Sequence, residues 1–364
     1  MKEKIFSQGK INGLRLRNRI IRAGCFEGMC QDGRVTADLI EHHRRLAEGG
    51  VAMTTVAYCA VSHDGRAFDH ELWMRDEIAA DLRKMTDVIH AEGSAASIQL
   101  GHSGFFTSSS VIGKRPMGAS PKLCVFTLSY CTEMTRADIE EKTQDFVNAA
   151  VLAKKTGFDA IEIHSGHGYL LSQFLSSWTN KRKDEFGGSL ENRLRFPIKV
   201  IEEVSKAVGP DFPVLVKMNQ TDGMSKGITL EDAILIAKAY EKAGASALIP
   251  SAGFTSKVPF LMLRGNLPVR EMSNNQKKLM KRVGLKLFGR FMVPEHRYEP
   301  MFLLEGAKQI QRAVDIPVIA EGRVSTPDDV RAALAAGAFA VVVGSMITRP
   351  HLITQHFLTG LSPE

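Results

Sequence analysis

The stretch 159–169, DAIEIHSGHGY, decides how this chain is read. Its first half, DAIEI, is short, apolar and branched, as a strand buried on both faces of a parallel sheet must be. His164, His167 and Tyr169 stand at its end, where a parallel strand leaves the sheet and α/β folds place their chemistry. Two imidazoles three residues apart can both donate an N–H to one oxygen, and a phenol two residues on can deliver a proton nearby. Together they can polarise a carbonyl and protonate a carbanion. The same HxxH spacing also suits two core histidines bonded to backbone, or two metal ligands.

Outward from this strand, seven further apolar runs recur: RIIRA (19–23), VAMTTVA (51–57), AASIQL (95–100), PVLVKM (213–218), SALIP (246–250), PVIAEG (317–322) and AFAVVVG (338–344). Helical patterns fall between several of them, as in DIEEKTQDFVNAAVLAKKTG and LEDAILIAKAYEKAG, which close on Gly157 and Gly244 as helix C-terminal caps do. Eight strands alternating with helices specify an α/β fold of the (β/α)8 TIM-barrel kind, one domain over residues 1–364. A doubly wound sheet is the alternative, but no GxGxxG turn follows the first strand. Residues 254–298 are too long for an ordinary βα loop and rich in Lys, Arg and Pro, so a lid or insertion over the barrel mouth is expected after strand 6. Leu100 to Thr132 reads as a second long loop, with a hairpin in it.

At 364 residues, 44% hydrophobic and 24% charged, the composition is that of a globular protein. The charged opening, MKEKIFSQGKINGLRLRN, lacks the apolar run of a signal peptide, and no 18-residue apolar span follows, so a cytoplasmic protein off the membrane is expected. Five cysteines without a CxxC pair argue against a disulfide framework, a zinc site or an iron–sulfur cluster. The net charge of +7 is scattered, without an aromatic-interleaved basic tract, so small phosphorylated or carboxylated molecules are expected as partners and nucleic acid is not.

In a barrel, side chains at the C-terminal strand ends converge on one pocket. Those ends carry Cys25, Tyr58, Gln99 and His102, the His164–His167 pair, Lys217, Gly253, Gly322 with Arg323, and Gly344 with Ser345. Gln99 can both donate to and accept from the pyrimidine edge of a flavin, and Lys217 can stabilise negative charge at the ring's N1/C2=O locus when it is reduced. The two glycine turns, each between a strand and a helix, can hold a phosphate on backbone N–H groups. Taken singly, Gln99 could be a buried amide, the glycines mere turns, and Lys217 the partner of a carboxylate such as Asp222.

RNRIIRAGCFEGM, IQLGHSG, EIHSGHGYLLSQFLSSWTNKRKDEFGGSLENRLRF and the Gly322 and Gly344 turns together resemble the Old Yellow Enzyme family of FMN-dependent ene-reductases, in its NADH:flavin oxidoreductase and 2-enoate reductase-like branch. The resemblance runs in order from the first residues to about Pro350. It implies bound FMN, NAD(P)H as electron donor, an unsaturated carbonyl or enoate as substrate, and often a homo-oligomer. By position, Ala23, Gly24 and Cys25 match the loop beside the flavin. Gln99 and Lys217 match the pyrimidine-edge contacts. Gly322, Arg323, Gly344 and Ser345 match the phosphate site. His164 and His167 match the pair that binds the substrate carbonyl, and Tyr169 the proton donor.

Three positions depart from the family pattern: Ser345 and Phe105 stand where Arg is common, and Gly24 where Pro or Ala is usual. The phosphate is therefore expected to rely on Arg323 and backbone amides. Larger relatives carry an iron–sulfur region whose cysteines are missing here, so electrons are expected directly from NAD(P)H. Two rivals remain: a phosphate-sugar epimerase or aldolase barrel without flavin, to which GSMITRP at 344–350 points, and a flavin-bearing but non-catalytic binding protein.

Overall fold

The structure is a computed structural model that describes residues 2–258, 261–264 and 296–344. Eight parallel strands form its centre: β1 (Ile20–Arg22), β2 (Met53–Ala60), β3 (Ala95–Gly101), β4 (Ala160–Ser165), β5 (Val214–Thr221), β6 (Ala247–Ala252), β7 (Ile319–Ala320) and β8 (Ala340–Val343). Their order is β6-β5-β4-β3-β2-β1-β8-β7, and a parallel bridge between Leu248 and Val318 joins the two ends into a barrel. All eight expected strands are present. β7 is shorter than the run PVIAEG, because Pro317 brings no N–H to the ladder and Gly322 turns away at φ +109°.

Helices α1 (Ala37–Glu48), α2 (Ala79–Ala91), α3 (Arg136–Lys155), α4 (Leu190–Val208), α5 (Leu230–Lys242), α6 (Leu304–Gln311) and α7 (Pro327–Ala335) cover the barrel. Capping boxes start three of them, Thr135 with Asp138, Thr229 with Asp232 and Thr326 with Asp329, so orphan amides at those ends are satisfied within the chain. Ile161 and Ile163 of β4 lie in the large core cluster with α3 and α4 residues such as Phe146 and Val200. Each such burial is worth about 1.5–3 kcal/mol. No described helix is long and apolar enough to cross a membrane.

The strand period of two sends alternate residues inward. Ile21, Met53, Leu215, Ala247 and Ile319 fill the barrel, joined by Ile11 and Leu16 from an N-terminal antiparallel hairpin, Gly9–Ile11 with Leu14–Leu16. The hairpin turn is tied to the start of β5 by the Gly13 N–H donating to the Asp211 carbonyl at 3.0 Å, so the N-terminal end is plugged with apolar atoms. One layer higher, the inward positions are polar: Gln99, Glu162, Lys217 and Glu321 are all buried. The expected hairpin after β3 is present as Lys122–Cys124 paired with Ser129–Glu133. Most of the expected lid at 254–298 lies outside the described residues, as does Ser345.

Candidate active site

Register places the site. Glu162 of β4 stands opposite Gln99 of β3, and His164 opposite Lys217 of β5. The Gln99 amide donates to Glu162 Oε1 at 2.5 Å, and Lys217 Nζ sits 3.0 Å from Glu321 Oε2 and 3.5 Å from Glu162 Oε1. Lys217 therefore pairs with Glu162 and Glu321. Asp222 is occupied by its own turn, accepting from Asn219 Nδ2 at 2.7 Å and from the Ile228 amide at 2.9 Å. Burial opposes the charge on Lys217, but the two carboxylates outweigh it and raise its pKa. Burial raises the Glu162 pKa by more than Lys217 and Gln99 lower it.

The loop after β1 closes over this layer. The Gly24 carbonyl lies 3.5 Å from Gln99 Nε2, and a Cβ on Gly24 would stand 2.7 Å from that nitrogen. This contact is the physical reason for glycine at 24. Gly24→Ala is expected to push Gln99 off its place and cost about 1–3 kcal/mol, as overpacking does, with weakened FMN retention; a urea midpoint and flavin affinity equal to wild type would count against it. Arg22 anchors the same loop, donating to Glu27 Oε1 and the Thr55 carbonyl, both at 2.6 Å, and to the Cys25 carbonyl at 3.2 Å. A Cβ on Gly344 would lie 3.3 Å from Cys25 Sγ and 3.4 Å from Ala23 Cβ, so β8 ends against the loop. Burial pushes the Cys25 thiol pKa up, with Arg22 and Lys217 acting against it.

His164, His167 and Tyr169 come together as the sequence implies. Ring centroids are 4.9 Å apart for the two histidines and 4.8 Å for His164 with Tyr169. His164 Nδ1 accepts the Gly166 amide at 3.2 Å, and burial lowers the ring's pKa well below the usual value, so the neutral ring carries its proton on Nε2. That N–H makes no hydrogen bond among the described residues. Burial, with Lys217 adding to it, takes the His167 pKa down to about 3. The backbone holds His167 at φ +56°, its amide donates to Asn219 Oδ1 at 3.0 Å, and its Nε2 lies 2.6 Å from Ser251 Oγ of β6. Tyr169 opens the short helix Leu170–Leu175 as its N-cap.

Tyr58 belongs to this group and not to the Gln99–Lys217 layer. Its ring lies 4.9 Å from Tyr169 and 6.0 Å from His164, and its buried hydroxyl has no hydrogen-bond partner among the described residues. Burial, and the nearby Glu71 carboxylate after it, raise the pKa of both tyrosines. His102 turns away from the site: its Nε2 faces Asp64 at 3.7 Å, within an ionic cluster that includes Lys114 and Lys142. Gly253, at φ +100°, gives its carbonyl to Asn219 Nδ2 at 2.7 Å. At the β7 turn a Cβ on Gly322 would press on Leu303 at 2.9 Å, and Arg323, at φ +60°, stacks over Tyr298 at 4.9 Å, its buried Nε without a hydrogen-bond partner among the described residues.

Sequence reading missed Glu162, Glu321 and Ser251. Glu162 was legible, since it lies two residues before His164 and the strand period turns both to one side. Glu321 and Ser251 carried no local signal, because their partners are 104 and 84 residues away.

A model of the NADH:flavin oxidoreductase / NADH oxidase family matches residues 4–285. A second, for putative N-acetylmannosamine-6-phosphate epimerase, matches residues 269–362, a span that includes β7 and β8. The 4,4'-dithiodibutanoate disulfide reductase of Rhodococcus erythropolis is 36% identical over 353 residues, covering 96% of this chain and 87% of the relative. Among solved structures, a 2-naphthoyl-CoA reductase in complex with 2-naphthoyl-CoA superposes with a TM-score of 0.83 at 27% identity, over 98% of this chain and 52% of that one. This chain thus spans about half of that reductase. An Old Yellow Enzyme homologue from Zymomonas mobilis has the same fold, with a TM-score of 0.77 at 20% identity, over 99% and 93% of the two chains.

The residues at the barrel mouth fit the flavin that such a family carries. Gln99 offers both a donor and an acceptor, Lys217 a fixed cation, and Glu321 a buried Oε1 with no partner among the described residues. Arg323 adds a buried guanidinium nitrogen beside the glycine turn where a phosphate would sit. With family model and full-length relative in agreement, this chain belongs to the NADH:flavin oxidoreductase / NADH oxidase family, as an FMN-dependent NAD(P)H oxidoreductase.

Proposed function

We propose that this protein reduces the C=C bond of electron-poor alkenes conjugated to a carbonyl. The observation that carries the reading is a neutral His164 whose Nε2–H is unpartnered, set beside His167 and with Tyr169 at 4.8 Å. FMN bound at the mouth, with Gln99, Lys217 and the loop Ala23–Cys25 holding its ring and Gly322, Arg323, Gly344 and Ser345 its phosphate, would supply hydride taken from NAD(P)H. His164 and His167 would bind the substrate's carbonyl oxygen and stabilise the negative charge that grows on it. Their depressed pKa values keep them neutral donors at working pH, so they orient and stabilise without giving up a proton. Ser251 fixes the His167 ring, and the phenol of Tyr169 protonates the α-carbon.

Tyr169→Phe keeps the ring and removes the proton. It is expected to slow substrate reduction by about 10²-fold or more while FMN reduction by NADH is unchanged; stopped-flow traces of the two half-reactions separate them, and an unchanged second phase removes Tyr169 from the proton path.

A second reading, reduction of an organic disulfide, is favoured by the Rhodococcus erythropolis relative, similar over almost the whole length of both chains. There two electrons would cleave S–S, and the Tyr169 proton would go to a departing thiolate. The test of both is the visible spectrum of purified protein before and after anaerobic NADH, followed by cyclohexenone or 4,4'-dithiodibutanoate. Bleaching followed by recovery with the enone supports alkene reduction. Recovery with the disulfide alone moves that reading to first place, and recovery with neither sinks both.

A further inference from the structure

Lys217, in the polar layer of the barrel, does not act alone. It lies between two buried carboxyl groups, Glu321 at 3.0 Å and Glu162 at 3.5 Å, so its charge is shared between them. The Arg22–Glu27 pair next to them is internally neutral. On Glu162, Oε1 takes the Gln99 amide as well as Lys217. On Glu321, a residue 5% exposed, Oε2 holds Lys217 and Oε1 is buried with no hydrogen-bond partner among the described residues. An orphan acceptor on a buried carboxylate costs about 1–3 kcal/mol or more unless something donates to it. Glu321 ends β7 immediately before the Gly322 turn, and like Lys217 it is close enough to influence the Cys25 thiol in the loop after β1. Glu321 thus stands in the same polar layer as Gln99 and Lys217, the residues to which the FMN ring is assigned above.

We propose that Glu321 is a further FMN-contacting residue: Oε1 accepts a hydrogen bond from the bound cofactor, and its charge lowers the flavin's reduction potential. The inference rests on the FMN site described above. Reduction adds negative charge to the flavin ring, and a lone lysine beneath the ring would favour that. A carboxylate paired with the lysine offsets that cation, so reduced FMN is held less tightly relative to oxidised FMN than it would be beside a lone lysine. Driving force is thereby moved from the NAD(P)H step to the acceptor step. The acceptor class this suits is one harder to reduce than a simple enone, such as an unsaturated thioester or acid, whose carbonyl activates the alkene less.

The experiment is an anaerobic spectroelectrochemical titration of the FMN-loaded protein, wild type against Glu321→Gln and Glu321→Asp, with FMN dissociation constants for each. Glu321→Gln is nearly isosteric and leaves the Lys217–Glu162 pair intact. It is expected to raise the ratio of reduced to oxidised FMN affinity about tenfold, a shift of ~30 mV for a two-electron couple. Glu321→Asp retains the charge and should stay near the wild-type potential. A Gln variant with native circular dichroism that no longer holds FMN, while the Asp variant does, also supports the contact. A Gln variant that binds FMN at the wild-type potential, or a lower one, overturns the inference. Wild-type protein that takes up no FMN overturns instead the site reading on which it rests.

Discussion

His164→Ala combined with His167→Ala is expected to slow alkene reduction by at least 10²-fold, with a much smaller effect on the reduction of FMN by NADH. Removing one preorganised donor from an oxyanion typically costs 10²–10³-fold in rate, and here both donors to the same oxygen are lost. The reductive half-reaction should be spared, because nicotinamide presents no carbonyl that must gain charge for hydride to leave. The pH dependence sharpens the test. Burial depresses the pKa of both imidazoles, that of His167 to about 3, so both are neutral where a free histidine titrates and the pair contributes no inflection near 6.5. As pH falls, donation by the neutral form is lost only when the folded values are reached. Wild-type kcat/KM for an enone should therefore be flat in the range where an unperturbed histidine titrates. An inflection near pH 6.5 that disappears in the double variant would contradict the buried, neutral assignment. Equal turnover in wild type and double variant would remove the carbonyl-binding role altogether.

Lys217→Met carries the second large effect, and it is structural before it is catalytic. Taking away the ammonium leaves Glu162 and Glu321 facing one another in the barrel with no cation between them. Breaking a buried ion pair by removing one partner costs about 3–5 kcal/mol, because an uncompensated charge is left in a low-dielectric interior. Part of that cost is relieved if a carboxylate takes up a proton, which in Glu162 burial already favours. The expected result is a lower urea midpoint at pH 8 that recovers partly at pH 5.5, with FMN lost on gel filtration at both. Lys217→Arg should restore stability more fully than flavin affinity, since the planar fork pairs well with carboxylates but is larger. Full FMN retention in the Met variant would place Lys217 outside the cofactor contacts.

Periodicity alone was sufficient to read the barrel. Eight apolar runs of strand length, separated by helical patterns that end on glycines, leave few other ways to bury that much branched side chain. The run DAIEI and the HxxHxY that follows it are local, and local signals survive in a sequence: His164, His167 and Tyr169 lie within six residues and are brought together by one strand end. Gln99 and Lys217 were legible for a related reason, as polar residues inside otherwise apolar strands.

What no local pattern contained was the company these residues keep. Closure of the barrel brings Glu321 of β7 to Lys217 of β5, 104 residues apart in the chain, and seats Ser251 of β6 against His167. It also turns His102, read as a site residue from its place after β3, towards Asp64. The sequence by itself determined the strand count, the mouth of the barrel as the place of chemistry, and the histidine pair with its phenol. Only the tertiary structure decided which carboxyl groups surround Lys217, because the field there is the sum over all neighbours in space and chain order does not record them.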